Sequence, residues 1–181
     1  MGGHFDMEKI MKNADVGHRY ELQRRVEQFL YKEAELLDRW KVMAWLDLIT
    51  ADIDYRIPIR TTLENGHEDE LFSSQAFHMV EDYGSLSARM RRLDGGFAFS
   101  ESPRSRARRH ISNIRVNSQS DDIVEVTSNL LFFWARDELE RLISAERRDV
   151  LANVDGELRL ARRTVFLDHV ALPIPNLTVV L

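Results

Sequence analysis

Six histidines, thirty acidic side chains and no cysteine bound the chemistry open to this chain. Without a thiolate there is no cysteine nucleophile, no disulfide and no cysteine-ligated cluster. His4, His18 and His67 fall in predicted tail or loop. His78, His110 and His169 are better placed but far apart. No His-x-x-x-His or His-Glu-x-x-His run brings two ring nitrogens onto one helical face, so metal-site spacing is absent. A site of two histidines and a carboxylate would need distant residues, with no local pattern in its support. The plain reading of His110 and His169 is that of hydrogen-bonded strand residues. Acid–base chemistry asks less, because one carboxylate and one histidine in a pocket can isomerise or dehydrate a small molecule. Asp54, His78, His110 and Asp168 are the possible members. Against this, Asp54 lies on the polar side of an alternating run, and the Asp52-x-Asp54 pair reads as a solvated face. Gly95-Gly96 lacks the pattern of a phosphate loop, and no Gly-x-Ser-x-Gly nucleophile elbow is present.

One basic run stands apart, Arg104-Ser-Arg-Ala-Arg-Arg-His110, with Arg115 beyond it. On a strand, Arg104, Arg106, Arg108 and His110 point one way and Arg109 the other, which divides the patch. Glu146 or Asp149 on another strand is a possible partner for it. The net charge of −5 argues against a nucleic-acid binder, so salt pairing in the sheet or at a subunit interface is the expected role.

The elements that would position these residues follow from periodicity. Leu22, Val26, Phe29, Leu30, Ala34 and Leu37 form one helical stripe between about Arg19 and Leu37. A shorter helix is predicted from Trp40 to Ile49. Asp52–Ile59 alternates polar and apolar as a half-buried strand, and Pro58 predicts that it lies at an edge or ends there. Residues from Thr61 to Tyr83 carry no clear period and read as an exposed loop, most acidic and turn-rich from Glu64 to Glu70. Ser85 is the expected cap of a helix through Leu86, Met90 and Leu93, with Gly95-Gly96 as its stop.

The second half reads as strands, near Arg106–Asn117, Ile123–Ala135, Leu139–Val154 and Glu157–Val170. Short connections join them, and Asp155-Gly156 has the residue types of a type I′ hairpin turn. Helices followed by a curling antiparallel meander predict an α+β domain with the helices packed into a concave sheet. In Val124–Trp134 the even positions are mostly apolar, and near the end Leu131 and Phe133 are apolar on the other side. A strand apolar on both faces needs cover on both. A second subunit supplies that cover, or the Thr61–Tyr83 loop folds over it.

The length of 181 residues suits one domain, read here as a flexible tail over 1–18 and a single domain over 19–181. Composition is that of a globular protein, 44% hydrophobic and 30% charged. No apolar run approaches the length of a membrane span, and residues 1–7 lack the apolar centre of a signal peptide. A cytoplasmic protein without membrane attachment is the natural reading.

Several phrases occur together and in order: Phe29-Leu-Tyr-Lys-Glu-Ala-Glu-Leu-Leu-Asp38, Trp45-Leu-Asp-Leu48, Pro58-Ile59-Arg60, Ser105-Arg-Ala-Arg108 with Ser112-Asn113, and Asn176-Leu-Thr-Val-Val-Leu181. Ala145–Leu151 and Arg162–Asp168 accompany them. From Tyr20 to Leu181 the chain resembles the small (β) subunits of the aromatic-ring-hydroxylating dioxygenases. It departs from their pattern at Pro103-Arg104, at the extra Arg109, and at Arg56, where many relatives carry an aromatic residue. No role is therefore carried onto His110.

The resemblance implies a cone-shaped fold of the nuclear-transport-factor-2-like (cystatin-like) type. It implies a non-catalytic, structural subunit without catalytic, cofactor-binding or metal-binding residues of its own. Its partner is a large α subunit in an α3β3 hexamer, and that subunit carries the Rieske [2Fe–2S] cluster, the mononuclear Fe(II) and the substrate pocket. The assembly adds both atoms of O2 to an aromatic ring to give a cis-dihydrodiol in aromatic catabolism. Electrons come from NAD(P)H through a reductase and often a ferredoxin. Arg106, Arg108 and Trp134 are the interface residues read from the sequence, with Trp134→Asp expected to weaken assembly. Selectivity among naphthalene, biphenyl and benzoate then belongs to the large chain. The rival is a free-standing isomerase or dehydratase of the same fold. It would hold a carboxylate or histidine of strongly shifted pKa in a pocket, whereas the subunit reading expects an interior filled with apolar side chains.

Overall fold

The computed structural model describes residues 7–61, 71–95, 104–120, 122–171 and 180–181, with side chains from residue 16 onward. Helix α1 (Met7–Asp38) buries Leu22, Val26, Phe29, Leu30, Ala34 and Leu37. Their spacing of three and four residues stacks them on one face. The helix starts at Met7, so residues 7–18, expected as part of a tail, continue it. Residues 1–6 lie outside the described residues.

Helix α1 stops without a glycine. Trp40 takes the left-handed φ of 57°. Its N–H donates to the Leu37 carbonyl at 3.1 Å, and that of Lys41 to the Leu36 carbonyl at 2.8 Å, the pair of bonds that closes a Schellman end. Left-handed backbone costs a non-glycine residue about 1–2 kcal/mol. The Trp40 side chain offsets this: its indole N–H donates to the Ser105 carbonyl at 3.2 Å, and Arg104 stacks on its ring. Helix α2 (Val42–Leu46) is shorter than predicted, because Ile49 already belongs to strand β1 (Ile49–Arg60).

The sheet has six strands in the order β2-β1-β6-β5-β4-β3. Strand β2 (Phe72–Glu81) occupies a stretch read as loop from the sequence, and it forms the edge that Pro58 was expected to mark on β1. Strand β1 is interior. The β1–β2 register shifts on both sides of Pro58, so the proline sits in an irregularity, where a strand tolerates the missing N–H. The predicted acidic loop over residues 64–70 lies outside the described residues. Helix α3 (Tyr83–Asp94) begins with a capping box. Asp82 Oδ1 accepts from the Ser85 N–H at 2.8 Å, and Ser85 Oγ accepts from the Asp82 N–H at 2.9 Å. Asp82 is thus the cap and Ser85 its reciprocal partner.

Strands β3 (Arg106–Gln119), β4 (Ile123–Arg136), β5 (Leu139–Val154) and β6 (Glu157–Leu167) run antiparallel, each to the next. Asp155 and Gly156 take φ of 54° and 87° between β5 and β6, as a type I′ turn requires. Strand β1 lies parallel to β6, so the sheet is mixed rather than wholly antiparallel. Helix α1 packs on β3 and β6, and α3 on β1 and β2, giving the α+β cone. Edge strand β3 is closed by side chains from the helical layer. Gln23 donates to the Ile114 carbonyl, Asp38 accepts from the Arg109 N–H, and Trp40 donates to Ser105. These side chains occupy backbone groups that would otherwise invite strand pairing.

Candidate functional site

The interior carries charge. Glu33 lies on the buried face of α1, on the stripe of Val26, Leu30 and Leu37. Arg147 and Asp149 occupy inward positions of β5 between Ala145 and Leu151, and Arg163 does so on β6 beside Val165. Every one of these four side chains is at most 2% exposed. The Arg163 guanidinium grips two carboxylates at once. Its Nε and Nη2 donate to Asp149 at 2.8 Å each, and its Nη1 and Nη2 donate to Glu33 at 2.7 and 2.8 Å. Arg147 Nη1 lies 3.4 Å from Glu33, and the Trp45 indole donates to the same carboxylate at 3.2 Å. A second pair, Asp38 with Arg109 at 2.7 Å, closes the β3 side, where the guanidinium also stacks on Phe132. The expectation of an interior filled with apolar side chains is corrected accordingly.

Electrostatics fix the roles. Burial alone would push the Glu33 carboxyl up. Arg163 and Arg147, with hydrogen bonds from Arg163 and Trp45, outweigh that and hold it at about 2. Burial pushes the Tyr55 hydroxyl up to about 12, so it stays a neutral donor. Burial and then the like charge of Arg163 pull the Arg147 guanidinium down. Arg163 is held well above its ordinary value, because Asp149 and Glu33 overcome its burial. Glu33 is therefore a fixed anion and a poor proton shuttle, since general acid–base work asks for a pKa near the operating pH. A small space lined by Leu37, Trp40, Met90, Arg109 and Val180 has a volume of about 10 Å³, roughly room for one water.

The candidates named from the sequence are not brought together. Asp54 is on β1 and pairs with Arg56 at 2.7 Å. His78 sits on edge strand β2 and His110 on the opposite edge, β3, facing outward. Asp168 accepts from Ser144 Oγ at 2.5 Å, while His169 Nε2 accepts the Ser144 backbone N–H at 3.4 Å. The serine proton thus points at the carboxylate rather than at the ring, which is not the geometry of a nucleophilic triad. Among the described residues no group of three His, Asp or Glu side chains could hold a metal ion, and no helix is long and apolar enough to cross a membrane.

The divided basic run is as read. Arg104, Arg106, Arg108 and His110 are exposed, and Arg109 is buried. Of the partners suggested, Glu146 reaches Arg115 beyond the run, and Arg148 as well, whereas Asp149 serves Arg163 and Asp38 serves Arg109. Trp134 is corrected. It is 6% exposed, faces inward opposite Ala107, and belongs to the core rather than to a surface. The outward face of the same strands does carry apolar residues. Arg108, Phe133 and Leu142 form one cross-strand row, and His110, Leu131 and Ser144 the next. Leu131 is 40% exposed and Leu142 53%.

A family profile described as ring hydroxylating beta subunit matches residues 32–173. The benzene 1,2-dioxygenase subunit beta of Pseudomonas putida is 32% identical over 166 residues, covering 87% of this chain and 88% of that one. The chain belongs to the ring-hydroxylating dioxygenase β-subunit family. As a fold, this β subunit superposes on a naphthalene 1,2-dioxygenase structure with indole bound in its active site. The TM-score is 0.76 at 22% identity, covering 100% of this chain and 95% of that one. The β subunit of a ring-hydroxylating dioxygenase from Novosphingobium aromaticivorans follows at TM-score 0.69 and 21% identity, over 89% of this chain and 97% of that one.

The charged interior of this β subunit had a signal in the sequence. Glu33 stands three residues from Leu30 and four from Leu37, on the stripe itself. Arg147, Asp149 and Arg163 stand at inward positions of alternating strands. Charges at core parity in two strands and one helix were a visible call for mutual pairing.

Proposed function

We propose that this chain is the non-catalytic, structural small subunit of an aromatic-ring-hydroxylating dioxygenase. The observation that carries the reading is the family match across residues 32–173 on a chain without cysteine. A Rieske cluster needs cysteine thiolates, so this chain alone cannot supply its ligand set, and no step of oxygen chemistry is assigned to its residues. The Rieske [2Fe–2S] cluster and the mononuclear iron belong to the large α subunit. That subunit adds both atoms of O2 to an aromatic ring, with electrons delivered by reductase and ferredoxin. The stoichiometry is α3β3 and the compartment the cytoplasm.

The work of the β subunit is to present a rigid surface. Ion pairs across α1, β5 and β6 lock the cone from within, and the outward rows of Arg106, Arg108, Leu131, Phe133 and Leu142 offer an apolar centre with a basic margin. That composition matches an interface core and rim. Large-subunit docking there is tested by co-expressing both chains with Leu131→Asp and Leu142→Asp and weighing the complex by native mass spectrometry. The expected result is loss of the complex with the thermal midpoint of the isolated small chain unchanged. An intact complex removes this face from the assembly.

A further inference from the structure

Residues 180–181 lie inside the cone. Val180 is 2% exposed and Leu181 is fully buried. Their backbone is bound as a ligand would be. The Tyr55 hydroxyl donates to the Leu181 carbonyl at 2.9 Å and accepts the Leu181 N–H at 3.0 Å, while Arg163 Nη1 reaches the same carbonyl at 3.4 Å. Arg109 donates to the Val180 carbonyl through Nε at 3.1 Å and through Nη2. Tyr55, Arg109 and Arg163 are each at most 7% exposed. They come from β1, β3 and β6, and in the sheet β3 is separated from β6 by β5 and β4. The dipeptide therefore forms a chord across the curl of the sheet. None of these hydrogen bonds uses the side chains of Val180 or Leu181.

We propose that Tyr55, Arg109 and Arg163 form an internal receptor for an extended apolar peptide, normally filled by Val180–Leu181 of the same chain. The receptor reads backbone. Two main-chain oxygens and one N–H are recognised by two guanidinium groups and a hydroxyl, and apolar walls accept the flanking side chains. Hydrogen bonds from buried cations serve these main-chain oxygens well. Emptying the site opens a peptide-binding cavity. The claim is independent of the assembly reading, because it concerns one chain alone.

Two measurements on the isolated protein test it. In the first, the chain is truncated after Pro175 and titrated with a synthetic Asn176–Leu181 hexapeptide, following peptide fluorescence anisotropy and the thermal midpoint. Saturable binding that restores the midpoint supports the receptor. A folded truncation that does not bind the peptide overturns it. Where the truncation does not fold alone, the second measurement decides, on the 181-residue chain. Carboxypeptidase release of Leu181 is timed for the wild type and for Tyr55→Phe, which removes one hydroxyl while keeping the ring. Release from the wild type should be at least tenfold slower than from the free hexapeptide, and Tyr55→Phe should recover much of that difference. Equal release from wild type and free peptide refutes the proposal.

Discussion

Replacing Glu33 by glutamine tests the interior lock at its centre. The change keeps the shape and removes the charge between Arg163 and Arg147, leaving Arg147 without its carboxylate. Two routes give the size of the loss. Holding the Glu33 carboxyl at about 2 instead of 4.5 is worth on the order of 3 kcal/mol, at about 1.4 kcal/mol for each tenfold in the proton equilibrium. Breaking a buried ion pair from one side costs about 3–5 kcal/mol. The two agree near 3 kcal/mol, a drop in thermal midpoint of about 6–12 °C for a chain of this size. Urea unfolding at pH 7, followed by tryptophan fluorescence, reads the difference directly.

The pH dependence sharpens this test. A folded-state pKa below the unfolded one means that the unfolded chain binds more protons, so the contribution of Glu33 is present above about 4.5 and is lost as pH falls toward about 2. Glutamine cannot titrate. The stability gap between the two proteins should therefore be full at pH 7 and narrow steadily between pH 4.5 and 2. A variant within 0.5 kcal/mol (roughly, the scatter of a neutral surface change) at pH 7 would refute the lock. So would a gap that ignores acid.

Other substitutions probe other parts of the account. Trp134→Asp puts a charge into the core opposite Ala107, so the isolated chain itself should lose about 3 kcal/mol or more in urea unfolding. An unchanged midpoint with lost assembly would return Trp134 to the surface. Asp82→Ala removes the capping box of α3 and should cost about 1 kcal/mol by the same assay. Gly156→Val places a β-branched residue at φ 87° in the β5–β6 turn and should cost at least about 1 kcal/mol. Protection of β5 and β6 amides from hydrogen exchange should fall with it.

The sequence was most legible where one pattern governed one element. Strands β3 to β6 emerged to within a few residues, because alternation was regular and Asp155-Gly156 could take both left-handed conformations. Strand β2 was hidden for the opposite reason. Its register slips twice against β1, and of its residues Met79 alone is buried, so no period of two survives. Pro58 signalled a break in pairing correctly and the edge wrongly, since β2 lies outside it. Arg106 and Arg108 were placed on the correct face, but Trp134 shares the parity of Phe132 and turns inward. The charged interior was passed over because charge is usually read as surface. Glu33, Arg147, Asp149 and Arg163 occupy core positions in elements far apart in sequence, and their pairing exists only once the sheet has curled around α1.

The central claim is that this chain serves a metal-bearing partner and does no chemistry itself. Its most direct test is capture of the chain from its host at native expression, with protein stoichiometry, iron and acid-labile sulfide measured on what returns. The account predicts a larger chain in equal amount, carrying iron and sulfide, with oxygen-dependent turnover of an aromatic substrate confined to the complex. Recovery of this chain alone, turning over a small molecule unaided, would contradict it.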